Sequence, residues 1–115
     1  MSKQQDIAAL IISVQPNSWA IELPQTPTFP AASFDIDVRP ERTWVLGADY
    51  ARFFVSVMLY DKSKTNIMVT ASAMRAAFLT LEGFIEETES GDASFEDYPN
   101  LYGYFLNFTV RGHTQ

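Results

Sequence analysis

The sequence lacks the residues on which most catalytic sites depend. It contains no cysteine, which excludes disulfides, thiolate metal sites and cysteine nucleophiles. The one histidine, His113, lies near the C-terminus between Gly112 and Thr114, where we expect neither a rigid position nor a partner for general-base catalysis. The five glycines are scattered, so they form no phosphate loop or dinucleotide fingerprint, and no G-x-S-x-G motif is present. We therefore predict no catalytic residues, no cofactor and no enzymatic activity.

Positive charge is also scarce. Eight Lys and Arg residues stand against fourteen Asp and Glu, which gives a formal net charge of −6. A negative field repels DNA and RNA, and no run of basic residues concentrates the few cations along the chain. The sequence therefore predicts no nucleic-acid partner and favours a protein partner.

Long apolar runs are absent as well. The run from Ile7 to Val14 is interrupted by Ser13 and closed by Pro16. It is too short to span a bilayer, and no cleavage site of small residues accompanies it. We expect no membrane insertion and a cytoplasmic location.

The chain does contain enough apolar surface for one core. Hydrophobic residues make up 47% of the 115 residues, and aromatic residues make up 14%. This composition is typical of a folded protein, and the length fits a single domain over residues 1–115. Because large aromatic side chains dominate both cores and interfaces, they are the first candidates for a binding surface.

Several segments alternate apolar and polar residues, as half-buried strands do. Residues 18–23 and 34–39 show this pattern, and the strongest example is 51–60. Both faces of 51–60 are largely apolar, so we expect this strand to lie centrally in a sheet or to be covered twice. Three prolines within 24–30 exclude a helix or a central strand there and predict an extended crossover loop.

Three other segments are harder to assign. Residues 7–14 fit a buried strand or a short helix, and residues 101–112 contain apolar spacings typical of both. Residues 70–82 have a helix-forming composition between strand-like flanks, and we favour one long strand with a bulge. The turn-rich DKSKTN sequence between Tyr60 and Ile67 predicts an antiparallel hairpin.

Carboxylates are dense in a predicted acidic loop after residue 85. Their spacing does not match an EF-hand, so we predict no metal site. The same cluster is suited to electrostatic docking on a basic protein surface. The candidate docking patch consists of Glu86, Glu87, Glu89 and Asp92.

The order of several segments resembles the SecB family of export chaperones. IELPQTP at residues 21–27 is similar to that family's F-E-x-P-x-x-P element, with Ile21 in the aromatic position. FDIDV at 34–38, and the segments around FFVSVMLY and NIMVTA, resemble its alternating strands. AAFLTLEGF at 76–84 resembles its long final strand. The family's second helix and its glycine–proline loop have no counterpart in this sequence.

This resemblance implies an α+β fold with a predominantly antiparallel, Greek-key-like sheet and one helix or helical layer. It also implies a homodimer or tetramer that holds unfolded polypeptides without ATP. Apolar client segments would bind an exposed aromatic groove, although core packing is an alternative role for each aromatic residue. The candidate groove residues are Trp19, Phe29, Trp44 and Tyr98. A helix over residues 70–82 lying on a sheet would contradict the resemblance.

A second function fits the same composition. The chain is also suited to be a small acidic protein–protein adaptor, or a phage-type inhibitor, that docks on a basic surface of one specific partner. A holding protein would suppress the aggregation of many denatured clients, whereas an adaptor would capture one native partner.

Overall fold

The computed structural model describes residues 3–20, 30–40, 50–94 and 100–113. This part of the chain forms two helices and five strands, which confirms the predicted α+β class. In chain order these elements are α1 (Lys3–Val14), β1 (Ser18–Ala20), β2 (Ala31–Pro40), β3 (Tyr50–Asp61), α2 (Lys64–Leu79), β4 (Phe84–Ser94) and β5 (Tyr102–His113).

The strands form one open, mixed sheet in the order β1-β2-β3-β5-β4. β1 runs parallel to β2, whereas β2–β3, β3–β5 and β5–β4 are antiparallel pairs. The Greek-key-like expectation is corrected, because one pairing is parallel and the strand order differs from the 4-1-2-3 order of a Greek key. The predicted crossover loop falls almost entirely on residues 21–29, outside the described residues.

The core is built on the alternation of β3, which lies at the centre of the sheet as predicted. Its odd-numbered apolar residues point to one face and are at most 1% exposed. They are Ala51, Phe53, Val55, Val57 and Leu59. The same face continues into β5 through Leu106, Phe108 and Val110.

Both helices lie on this face of the sheet. α1 buries Ile7 and Ile11, which are one turn apart, and α2 buries four residues at helical spacing. The buried residues of α2 are Ile67, Ala71, Met74 and Phe78. The ring of Phe78 stacks on Phe108, with 4.0 Å between the ring centroids. The opposite face, called the open face below, is covered by neither helix.

The strand favoured for residues 70–82 is wrong, because most of this segment belongs to α2. The hairpin predicted between residues 60 and 67 is wrong for the same reason. The helix begins after Ser63, whose Oγ accepts a hydrogen bond from the backbone N–H of Asn66 at 3.3 Å. Apolar residues at helical spacing, together with this cap, outweigh the alternation at the flanks.

The acidic segment that follows is a strand and not the predicted loop. β4 pairs with β5, with register shifts between Phe84 and Glu86 and between Glu87 and Glu89. Pairing with β5 holds this strand in the sheet, and its edge position allows it to carry few apolar residues. Charges and bulges at an edge also hinder pairing with a further strand.

The turn into β4 requires a glycine. Gly83 has a φ of 89°, and a Cβ at this position would collide with the carbonyl oxygen of Arg111. In return, the N–H of Arg111 donates a 2.8 Å hydrogen bond to the carbonyl of Gly83. The turn is therefore fixed against the end of β5.

The two segments with open assignments are now resolved. Residues 7–14 belong to α1, and residues 102–113 form β5, which pairs with both β3 and β4. Neither α1 nor α2, the helices of the described residues, is long and apolar enough to cross a membrane.

Candidate interaction surface

The open face has an apolar centre. Met58 of β3 pairs directly with Phe105 of β5, and Phe54 lies further along the same face of β3, beyond Ser56. These three side chains are partly exposed. A shallow depression of about 280 Å³ lies beside them and is lined by Ser33, Asp35, Ser56, Met58, Phe105 and Asn107. The open face therefore offers aromatic and methionine side chains to a partner.

Three arginines form a row across one end of the open face. Arg39 of β2 pairs with Arg52 of β3, and Arg52 pairs with Arg111 of β5, so the three side chains lie next to one another. All three residues are exposed. Arg39 stacks over the ring of Phe54 at 4.5 Å, and Arg111 stacks over Tyr50 at 4.4 Å. We call Arg39, Arg52 and Arg111 the arginine row.

The structure divides the predicted acidic docking patch between two faces of β4. Glu86 and Glu89 are paired with Thr109 and Asn107 of β5, on the side of the open face, and both glutamates are exposed. We call Glu86 and Glu89 the acidic pair. The other two members of the patch lie on the helix side of β4.

Those two carboxylates already have cationic partners in α2. Asp92 lies 3.7 Å from Lys64, and Glu87 accepts a 2.6 Å bond from Nε of Arg75. The predicted patch is therefore not a single surface. A docking role remains a prediction, and it applies to the acidic pair, which lies on the open face.

Arg75 links α2 to the edge of the sheet. Besides Glu87, it donates hydrogen bonds to the hydroxyl of Tyr104 at 2.9 Å and to Oγ of Ser90 at 3.2 Å. The bonds to Glu87 and then to Tyr104 raise the pKa of Arg75, while hydrogen bonds with Ser90 and then Arg75 lower the pKa of Tyr104. This cluster connects α2 to β4 and β5, and its polar groups bond to one another.

Of the four candidate groove residues, only Trp19 lies in the described part of the chain. Its side chain is 44% exposed, and its register partner Ser33 lies on the open face. Trp19 is therefore at the rim of the open face. Phe29, Trp44 and Tyr98 lie outside the described residues. Among the described ranges, no three His, Asp or Glu residues are grouped so that they could hold a metal ion.

The arginine row is not apparent in the sequence. Its members belong to three different strands, so the sequence shows no run of basic residues. Only the register of β2, β3 and β5 brings them together. The signal available beforehand was that each arginine occupies a polar position of an alternating strand.

Comparison with known proteins identifies the fold. No protein-family model matches the sequence, and no curated protein matches it. The fold is similar to that of a chain in a solved structure described as "Virion of native gene transfer agent (GTA) particle". The TM-score is 0.65 at 12% sequence identity, and the similarity covers 96% of this chain and 93% of that chain. At this identity the likeness concerns the fold.

The resemblance to the SecB family is wrong. The fold likeness is to a virion chain over nearly the whole length, and α2 lies on the sheet where the resemblance required a strand. Short alternating strands, which carried most of the resemblance, occur in many sheets. The inferred chaperone function is therefore wrong, and the comparisons do not support the adaptor or inhibitor function either.

Proposed function

We propose that this protein is a structural component of a virion or of a related particle, and that it acts by binding other proteins and not by catalysis. The observation that supports this most strongly is the fold likeness to a virion chain, because it extends over 96% of one chain and 93% of the other. A match of this extent covers nearly the whole chain, so it does not depend on one common motif.

The open face is the surface that we assign to assembly. In an antiparallel sheet with one solvated face, the exposed side is usually polar. Here its centre carries Phe54, Met58 and Phe105, which belong to the residue types enriched in protein interfaces. A partner protein that covers this face would remove their apolar surface from water.

Incorporation into particles tests the proposal. Particles are purified on a density gradient from the host that produces this chain, and the chain is quantified in them by mass spectrometry. We expect the wild-type chain to sediment with the particles. Met58→Lys should reduce its incorporation about tenfold or more, because an unpaired charge would be buried at the contact.

Met68→Lys is the matched control. Met68 lies on α2, on the other side of the molecule, and is 37% exposed. The same substitution there should leave incorporation unchanged. Absence of the wild-type chain from purified particles would refute the particle function. Equal incorporation of both variants and the wild type would refute the assignment of the open face.

Three expectations from the sequence concern the partners, the absence of catalysis and the location of the protein. A role in assembly agrees with the predicted protein partners and requires no catalytic residues. The cytoplasmic location stays a prediction.

A further inference from the structure

The depression on the open face has two kinds of wall. Met58 and Phe105, which are register partners, form its apolar side. Asp35, Ser56 and Asn107 form its polar side, and the register places them in one row across β2, β3 and β5. Side chains on one face of a strand recur every second residue, so the apolar pair and the polar row are about 7 Å apart. A ligand that fills the depression therefore needs an apolar part and a polar end.

The polar row has hydrogen-bonding capacity that the described part of the chain does not use. The side chains of Asp35, Ser56 and Asn107 form no hydrogen bond or ion pair within the described residues. A carboxylate only accepts, and a hydroxyl or an amide oxygen accepts as well, so acceptors predominate in the row. Asp35 is the one charged residue among the described residues that line the depression. The complementary group is therefore a hydrogen-bond donor with a positive charge.

An arginine side chain fits both walls better than a lysine side chain does. Its guanidinium is planar, directs five N–H donors to several sides and matches the geometry of a carboxylate. Its methylene groups can lie over apolar side chains while the charged end reaches a polar group, and this reach is comparable to the distance between the walls. A lysine ammonium is a compact and more strongly hydrated charge, so it would gain less from the apolar wall.

The open face already holds one guanidinium between a carboxylate and a ring. Arg39 donates a 2.9 Å bond to the carboxylate of Asp37 and stacks over the ring of Phe54 at 4.5 Å. Asp37 and Phe54 are register partners on β2 and β3. The depression offers another carboxylate, that of Asp35, and another ring, that of Phe105, but no cation from the described part of the chain meets that carboxylate.

We propose that the depression binds an arginine side chain of a neighbouring particle protein. The methylene groups of that arginine lie over Met58 and Phe105, and its guanidinium bonds to the carboxylate of Asp35. Ser56 and Asn107 accept hydrogen bonds from its remaining donors. This inference rests on the proposed assembly role of the open face and names the chemistry of the partner.

A second copy of this chain and a nucleic acid fit the depression less well. Every arginine in the described ranges already has an interaction, so a second copy brings no spare guanidinium from them. A polyanion would meet Asp35 and, beyond Asn107, it would meet Glu89, which continues the row on β4. A basic protein segment meets neither obstacle, and it is attracted by the net charge of −6 on this chain.

Short peptides test the site in the isolated protein. The probes are acetyl-Ala-Arg-Ala-amide, the same peptide with lysine, and the same peptide with citrulline, which has nearly the shape of arginine but no charge. NMR spectroscopy follows the backbone amide shifts during each titration. With the arginine peptide we expect saturable shifts at Asp35, Ser56 and Asn107. The dissociation constant should be at least about threefold higher with the lysine peptide, and the citrulline peptide should show no saturation.

Two isosteric variants identify the carboxylate that binds. Asp35→Asn should raise the dissociation constant of the arginine peptide at least about threefold, because the negative charge is lost. Asp37→Asn is the matched control, since Asp37 lies on the same face of the same strand but outside the depression. This control should bind the peptide as the wild type does. In particles, Asp35→Asn should lower incorporation several-fold relative to Asp37→Asn, because the contact is then removed from water.

Several results would overturn the inference. Equal binding of the arginine and citrulline peptides to the wild type, or no saturable shifts with either, would do so without any variant. Equal affinity of Asp35→Asn and the wild type for the arginine peptide would remove this carboxylate from the site. Shifts of the same amides on self-association would assign the depression to a second copy, and shifts with a single-stranded oligonucleotide would assign it to a nucleic acid.

The arginine site and the particle function fail in different ways. A wild-type chain that enters particles but binds no arginine peptide would overturn the site and leave the proposed function standing. A chain that binds the arginine peptide through Asp35 but is absent from particles would refute the particle function and leave the site.

Discussion

Replacement of Phe78 by alanine tests how α2 packs on the sheet. Phe78 is 0% exposed, and its ring stacks on that of Phe108. Truncating a buried phenylalanine costs about 3–5 kcal/mol, of which about 0.5–1.5 kcal/mol belongs to the aromatic pair. With an m-value of about 2 kcal/mol/M, the urea midpoint should fall by about 2 M at an unchanged slope. Far-UV circular dichroism in urea measures both quantities.

The adjacent residue provides the control for this experiment. Leu79 belongs to the same helix but is 69% exposed. Leu79→Ala should change the free energy of unfolding by no more than about 0.5 kcal/mol. Equal losses in the two variants, or a loss below about 1 kcal/mol for Phe78→Ala, would refute the packing described for α2.

Three further predictions concern the elements around α2. Gly83→Ala should lower the free energy of unfolding, measured by urea denaturation, by about 2–4 kcal/mol, because φ is positive at this position and the new Cβ would collide with Arg111. A loss below about 0.5 kcal/mol would contradict this. Ser63→Ala removes the helix cap and should cost about 1 kcal/mol in thermal melts, and an unchanged melting temperature would exclude that role. Arg75→Leu should raise the pKa of Tyr104, because the hydrogen bond from Arg75 that helps to lower this pKa is lost. Ultraviolet titration of the phenol measures the pKa, and an unchanged value would refute the contact.

The strands with regular alternation could be predicted from the sequence. In β2, Phe34, Ile36 and Val38 lie on the helix side, while Asp35 and Asp37 lie on the open face. Burial of one sheet face imposes a period of two, so the pattern alone is sufficient for such strands. The central position of β3 could also be predicted, because both faces of this strand carry apolar residues.

α2 and β4 could not be assigned in this way. Small residues such as Ala71 and Ala73 fit either helix or strand spacing, so local alternation at the flanks led to the wrong element. β4 is stabilised by backbone pairing with β5 and by its edge position, and neither is visible in an acidic sequence. Both errors arise because tertiary contacts decide between elements of similar local preference.

The site was predictable only in its parts. Trp19 and the acidic residues of β4 could be identified from the sequence as surface candidates. Their grouping depends on the register, which separates Glu87 and Asp92 from the acidic pair and assembles the arginine row from three strands.

Oxidative labelling of methionines in purified particles tests the central claim most directly. Met58 lies on the open face, Met68 lies on the outer side of α2, and Met74 is buried as an internal reference. The account predicts that Met58 is oxidised several-fold more slowly in particles than in the isolated protein, kept dilute and at high salt, while Met68 is unchanged. Equal oxidation of Met58 in the two samples would show that no protein covers the open face.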